Sequence, residues 1–383
     1  MDIASKYRHL FPVFERVTYL NSCSQGALAI PVRDALNEYL DGMYAKGSLW
    51  DKWVMKQEEL RQLVAQAFKT KPSNIAITSN ASAGINSVLS SFDFSGPKKR
   101  IVTTDLEFPT MGQILHAQER RGAEVVHVPA DQDGTLSLEK LEAELDERVA
   151  ILAVTHVCYR TGAMSDIRAI SQLGHKHGIP VMVDAYQSAG SIPIDFDEVG
   201  ADFLVGGFLK YMLGLPGIGF LLAKEDPSRV PTQTGWFAAR DVFAMEIDRY
   251  DPAIDARRFE GGTPPIPSLF AAAAGLRLLL DVGLEKSWNQ TDYVHKMLRQ
   301  ELVRLGASLV TPEDSSSHAG MIAFKSVDES KLVSALEQDR MVVSSRDGNL
   351  RISPHFYNTE VDVELLIKSL FEHKALFASD YVS

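Results

Sequence analysis

The sequence predicts an α/β protein: a mainly parallel sheet covered by helices on both faces, plus a smaller α+β region toward its carboxyl-terminal end. Three observations carry that expectation. Between residues 74 and 222, short apolar runs alternate with helix-length amphipathic stretches. The apolar runs are nearly continuous, as in strands buried on both faces, and do not alternate as half-exposed strands do. After Gly261-Gly262-Thr263-Pro264-Pro265 the texture changes to a long Ala/Leu helix followed by a helix–strand–helix pattern.

Each element has its own signal. The seven strand candidates are NIAITS (74–79), RIVTTD (100–105), AEVVHV (123–128), VAILAVTH (149–156), PVMVDA (180–185), ADFLVGG (201–207) and GIGFLLA (217–223). Helical patterns at 83–90, 111–121, 137–145 and 167–177 lie between several of them, which is the strand–helix–strand rhythm of a parallel sheet. In such sheets small-molecule sites form at the strand ends. The Ala/Leu pattern at 268–282 reads as one helix running on toward Leu302. We divide the chain into an amino-terminal segment (1–14) that joins the small domain, a large domain (15–274) and a small domain (275–383). The polar run Asp314-Ser315-Ser316-Ser317-His318 reads as an exposed loop tip, and no internal repeat or low-complexity segment is present.

Composition narrows the function. The chain of 383 residues exceeds the roughly 250–300 at which a single core stops growing, so two domains are expected. Its 39 Lys+Arg against 50 Asp+Glu give a net charge of −11, which leaves no excess of cations to displace counterions from a nucleic acid. No run approaches the ~18 uncharged apolar residues of a membrane span, and the first residues lack the apolar stretch of a signal peptide. A soluble, cytoplasmic protein is therefore expected. Two cysteines, Cys23 and Cys158, suit a reducing compartment and cannot alone close a zinc site. No metal is expected.

The chemistry concentrates in VMVDAYQSAG (181–190) and ADFLVGGFLKYMLGLPGIGFLL (201–222). Asp184 ends one buried apolar strand and Lys210 ends another. A lysine closing an apolar strand is poised for desolvation, which lowers its pKa and makes it a nucleophilic amine. An acid on a neighbouring strand end completes what pyridoxal phosphate needs. The carboxylate keeps the ring nitrogen protonated, and the lysine holds the aldehyde as a Schiff base. The same two residues are also compatible with a lysine that caps a strand and an aspartate that caps a helix. A nucleotide-binding α/β protein is a further alternative, but no GxGxxG or P-loop stands where one is needed.

From Asn74 to Thr263 the chain resembles the class V branch of the fold-type I pyridoxal phosphate enzymes, which includes kynureninases, cysteine desulfurases and isopenicillin N epimerases. The resemblance extends to YLNSCSQGAL (19–28) and LRISPHFYNT (350–359), with the motifs in family order. It implies that Lys210 forms the internal aldimine and moves protons at the substrate α-carbon, and that Asp184 pairs with the pyridinium nitrogen. Gln187 then hydrogen-bonds the ring hydroxyl, Phe108 of LEFPT stacks on the ring, and Thr155 lies beside it. For Phe108, core packing is the plain alternative, and for Thr155 an ordinary strand threonine.

The phosphate cup falls by the same resemblance at NASAGIN, with Ala81 and Ser82 between a strand and a helix start. Backbone N–H groups there face an anion; Ser82 equally suits a helix N-cap. Thr263 of GGTPP and Trp236 of TGWF resemble segments that reach the cofactor from the neighbouring subunit, which implies a homodimer with shared sites. Arg351 matches the arginine that clamps the substrate α-carboxylate with two parallel donors. Arg346 is a second candidate and Asn21 a third; for both arginines a surface side chain is the alternative.

The run THVCYRTGAMSDI (155–167), with EFPT and GWF, leans toward kynureninases and hydrolytic Cβ–Cγ cleavage. Cys158, Gln187 and Leu209 depart from that pattern, standing where Asn, His and Tyr are expected. A cysteine desulfurase needs a reactive cysteine shortly before the carboxylate arginine, and VVSSRDGNLR (342–351) has none. Both cysteines read as buried, inert thiols. The expectation is a pyridoxal phosphate enzyme cleaving the side chain of an L-amino acid, by kynureninase-like hydrolysis or as a C–S or β-lyase. An aminotransferase or epimerase of the same fold, or a non-catalytic protein that retains the cofactor, are the alternatives.

Overall fold

The computed structural model describes residues 3–377. Twelve strands occur among them: β1 (Thr18–Tyr19), β2 (Ile75–Thr78), β3 (Arg100–Thr104), β4 (Glu124–Val128), β5 (Val149–Thr155), β6 (Val181–Asp184), β7 (Phe203–Gly207), β8 (Gly219–Ala223), β9 (Ile322–Lys325), β10 (Met341–Val342), β11 (Ser344–Arg346) and β12 (Asn349–Ile352). All seven strand candidates of the large domain are realised. They form one sheet in the order β2-β8-β7-β6-β5-β3-β4.

Only β8 runs against its neighbours, antiparallel to both β7 and β2. The cause is local. Parallel strands need a crossover of a dozen or more residues, usually helical, and the short connection from β7 to β8 has no helix. That connection carries Lys210. Successive residues alternate between two apolar layers: Val181 and Val183 join one cluster, Met182 the other. The first layer packs under the helices Ile30–Lys46, Trp50–Ala67 and Ile266–Val282, and the second under Ala81–Leu89 and Pro109–Ala117. Both faces are thus covered, which is why the strands read as continuous apolar runs.

A third apolar cluster gathers Leu20, Val294, Leu298, Ile322, Phe324, Leu350, Ile352, Leu366 and Leu370 around the antiparallel sheet β11-β12-β9. The amino-terminal residues reach the same part of the chain. Arg8 forms an ion pair with the buried Asp362 at 2.6 Å, and Phe11 packs against Phe356 and Tyr357. β11 and β12 join through Asp347-Gly348, both with positive φ, which is the two-residue turn that matches strand twist.

Two expectations need correction. The helix expected to run on toward Leu302 stops at Val282, because Gly283 adopts φ 89° and a second helix, Leu284–Arg304, leaves at 79°. Among the described residues no single helix is long and apolar enough to cross a membrane. The presumed loop tip 314–318 is exposed over most of its length, but His318 is buried, bridged to Ala163.

Candidate active site

Because β3, β5, β6 and β7 run parallel, their carboxyl ends share one edge of the sheet, where β5 stands between β3 and β6. The chain order changes direction there, leaving a crevice of the kind that accepts ligands in open α/β sheets. A cavity of about 280 Å³ lies at that edge. Its walls include Asn80, Ala81, Ser82, Phe108, Thr155, Asp184, Gln187 and Lys210, together with Tyr159, Tyr186 and Leu209. Six of the residues singled out from sequence motifs, along with Lys210, therefore meet around one space.

Lys210 lies three residues beyond the end of β7, in a turn and not on the strand itself. Its Nζ is 4.6 Å from the centroid of the Tyr186 ring and 5.7 Å from that of Phe108. Burial pushes the ammonium down to about 8; Cys23 and Asp184 hold it up, whereas Arg351 and Arg346 press it lower. The turn is held from outside by Gly26, whose N–H donates to the Leu209 carbonyl at 2.9 Å. A Cβ at Gly26 would lie 2.3 Å from the Lys210 carbonyl oxygen, so no other residue fits there.

Asp184 ends β6 in register with Thr155 of β5. It caps no helix: its Oδ1 accepts the Tyr186 N–H at 2.8 Å within a turn. Burial raises its pKa, against the pull of that hydrogen bond and of the Lys210 ammonium. Gln187 donates through Nε2 to the Cys23 carbonyl at 3.1 Å, and its Oε1 is buried with no hydrogen-bond partner. Thr155 Oγ1 donates to the Val157 carbonyl at 3.3 Å. Phe108 is 41% exposed and meets Tyr159 edge-on at 4.9 Å, so it is not a core residue.

Helix Ala81–Leu89 opens on the same cavity. Its N-cap is Asn80 and not Ser82: the Asn80 side chain accepts the Ala83 N–H at 2.8 Å. Asparagine is among the strongest N-cap residues, and with Asn80 in that place Ala81 and Ser82 line the cavity from the first turn of the helix.

Arg351 is buried on β12. Its Nη1 donates to the Tyr159 carbonyl at 2.7 Å, Nη2 to Ser344 Oγ at 3.0 Å, and Nε is buried without a partner. Arg346 projects from β11 and is exposed; its Nη1 donates to the Ser345 carbonyl. Among the described residues no carboxylate forms an ion pair with either arginine. Asn21 bridges to Ser353 and keeps a buried, unpartnered Oδ1, outside the cavity wall. Trp236 and Thr263 do not line this cavity. Trp236 stacks edge-on with Trp50 at 5.8 Å beside a separate hollow, and Thr263 is exposed next to another. Cys23 and Cys158 are both buried free thiols.

Several wall or near-wall residues escaped the sequence reading, Thr110 and Val157 among them. Tyr186 lies two residues beyond Asp184 in the same motif, and Asn80 carries the capping preference of its type. Tyr159 follows Cys158, with no signal of its own. Glu107 precedes Phe108 in LEFPT, where an acid beside an exposed aromatic reads as surface.

Residues 18–366 match the family model described as aminotransferase class V. The chain belongs to the class V aminotransferase family. It is a pyridoxal 5′-phosphate-dependent enzyme with the fold-type I architecture of that family. A protein of Bacillus subtilis (strain 168), named an uncharacterized aminotransferase, YcbU, is 34% identical over 370 residues, spanning 96% of this chain and 97% of its own. The kynureninase of Pseudomonas fluorescens is 28% identical over 355 residues, covering 88% of this class V enzyme and 83% of the kynureninase. Among solved structures, the apo cysteine desulfurase of Thermococcus onnurineus NA1 superposes with a TM-score of 0.86 at 24% identity, covering 97% and 98% of the two chains. The cystine C–S lyase C-DES in complex with cysteine persulfide gives 0.86 at 25% identity, covering 96% and 100%.

Proposed function

We propose that this class V enzyme cleaves the side chain of an L-amino acid in the cavity at the carboxyl ends of β5, β6 and β7. Carrying the reading is the conjunction of a desolvated lysine and a buried carboxylate with an arginine that no acid neutralises. The residues fit the cofactor. Asp184 is a buried acceptor suited to a ring N–H, Gln187 Oε1 is an orphaned acceptor suited to a ring hydroxyl, and the backbone at Ala81 and Ser82, with the Ser82 hydroxyl, suits a phosphate. Phe108 and Tyr186 offer ring faces to a flat heterocycle. When bound, pyridoxal phosphate supplies an electron-poor ring that stabilises negative charge at the substrate α-carbon.

The chain supplies the rest. Lys210, whose ammonium burial pushes down to about 8, would hold the cofactor through its aldehyde and is placed to take and return the α-proton. Arg351 holds the α-carboxylate through its fork, already aimed by Tyr159 and Ser344. That grip would orient the α-carbon and so select the bond to be broken. Leu209, Val157 and Tyr159 leave the space for the substrate side chain largely apolar. Neither cysteine lines the cavity, so a persulfide route through a protein thiol is not part of this reading.

Transamination is the second reading, favoured by the 34% identical relative named as an aminotransferase. Product analysis separates the two. Cleavage releases alanine or pyruvate from a suitable L-amino acid, turn after turn, with no acceptor added. Turnover that requires a 2-oxo acid and leaves the side chain intact would replace the first reading with the second.

We also propose a homodimer with shared sites, together with the division of the chain at residues 14 and 274 given above. Trp236 and Thr263 lie outside their own chain's cavity, as residues serving a partner's cavity do. Exposed apolar side chains gather at Trp236: Met245 and Ile247 line the same hollow, and Trp50 meets its ring. Exposed apolar clusters of this kind suit an association surface. Light scattering at twice the chain mass is expected; a monomer would refute the shared site.

A further inference from the structure

Glu107 has no part in the chemistry above, yet its carboxyl reaches two strand ends at the cavity edge. Its Oε1 accepts two hydrogen bonds of 2.8 Å, from Thr104 Oγ1 and from the Thr155 N–H. Those donors are the last residues of β3 and β5, so one oxygen ties two neighbouring strand ends. The other oxygen, Oε2, is buried and has no hydrogen-bond partner. Among the described residues no Lys, Arg or His forms an ion pair with it. Thr155 in turn faces Asp184 across the β5–β6 register.

A bare carboxylate oxygen, buried near a second carboxylate and without a cation, is costly, and a proton lowers the cost by removing the charge. Burial pushes the Glu107 carboxyl up to about 8; Asp184 adds to the push, and the bonds from Thr104 and Thr155 oppose it. Asp184 differs in having the Lys210 ammonium and the Tyr186 N–H to support its charge. With one proton between the two acids, Glu107 is the one that keeps it.

We propose that Glu107 is a positioning residue held as the neutral carboxylic acid. It fastens β3 to β5 beneath the cavity and leaves Asp184 as the one carboxylate available to the cofactor ring. The inference rests on the reading of Asp184 as the partner of the ring nitrogen. An ionised Glu107 would repel Asp184 and compete for the same positive charge. A neutral one sets the Thr155 backbone on one side and Phe108, its chain neighbour, on the other.

The test uses the full-length protein loaded with pyridoxal phosphate, beside E107Q, E107A and D184N. Infrared difference spectra at neutral pH read protonated carboxyl groups directly. A carboxylic-acid carbonyl band is expected in the parent and in D184N, and is expected to be missing in E107Q. Glutamine keeps an oxygen acceptor without charge. E107Q should therefore retain the parent's visible pH titration and hold the cofactor within about twofold, whereas E107A, losing both bonds, should hold it roughly tenfold less tightly. A band that survives in E107Q and vanishes in D184N would overturn the proposal. So would an E107Q as impaired as E107A, with a displaced titration. D184N with unaltered cofactor affinity and spectrum would instead refute the cofactor reading, and the infrared band would still decide Glu107.

Discussion

The floor of the cavity and its rim are built by different means. The floor, Thr155, Asp184 and the Lys210 turn, comes from adjacent strands of one sheet. Ladder hydrogen bonds fix Thr155 and Asp184, the Gly26 N–H holds the turn of Lys210, and burial displaces the ionisation of both charged groups. The rim is assembled from remote parts. Arg351 and Arg346 lie on a hairpin of a separate sheet, and Arg351 is held by side-chain bonds to remote segments. A parallel sheet thus places its own chemistry automatically, whereas Arg351 at the rim depends on side-chain bonds between remote segments. Floor changes should therefore alter cofactor and proton behaviour, and rim changes substrate affinity.

The sharpest contrast is expected at Arg351. R351Q should raise KM for a productive amino acid roughly 100-fold, as for a buried charged partner, with a smaller change in kcat and normal cofactor loading. A fall in cofactor loading of the same size would blur floor and rim. Next comes F108A, which should weaken cofactor retention about tenfold through lost ring contact, measured by dialysis against buffer without cofactor.

The pH dependence separates the regions more finely. Capture of the cofactor aldehyde by stripped protein needs uncharged Lys210. Because burial lowers that amine, the capture rate should rise with pH and level off above about 8, well short of the ordinary lysine value of 10.5. Removing an anion that holds the pKa up, in D184N, should move the midpoint down. Removing a cation that presses it lower, in R351Q, should move it up. Stopped-flow colour development measures all three. The smallest effect belongs to Arg346: exposed and bonded to its own strand, it should change KM by less than about threefold in R346Q. A larger change would make it a substrate contact in its own right.

The floor was legible in the sequence because buried parallel strands announce themselves as apolar runs, and Asp184 closes one while Lys210 lies just past another. What sequence periodicity cannot express is where a run stops. Lys210 therefore lies three residues past its strand, and the helix cap is Asn80 in place of Ser82. The break at Gly283 was hidden by apolar residues on both sides, although glycine is the residue that admits its positive φ. Rim geometry depends on contacts between segments more than 300 residues apart, such as Ser24 with Arg351, which no local pattern encodes. Glu107 was missed for a related reason: its partners Thr104 and Thr155 converge only when β3 and β5 pair.

The most direct measurement is to reduce the loaded protein with borohydride, digest it and map the pyridoxyl group by mass spectrometry. The account predicts a visible band that reduction bleaches and one modified peptide, carrying the group on Lys210. A label on any other lysine, or a protein that never acquires the band when pyridoxal phosphate is supplied, would contradict it.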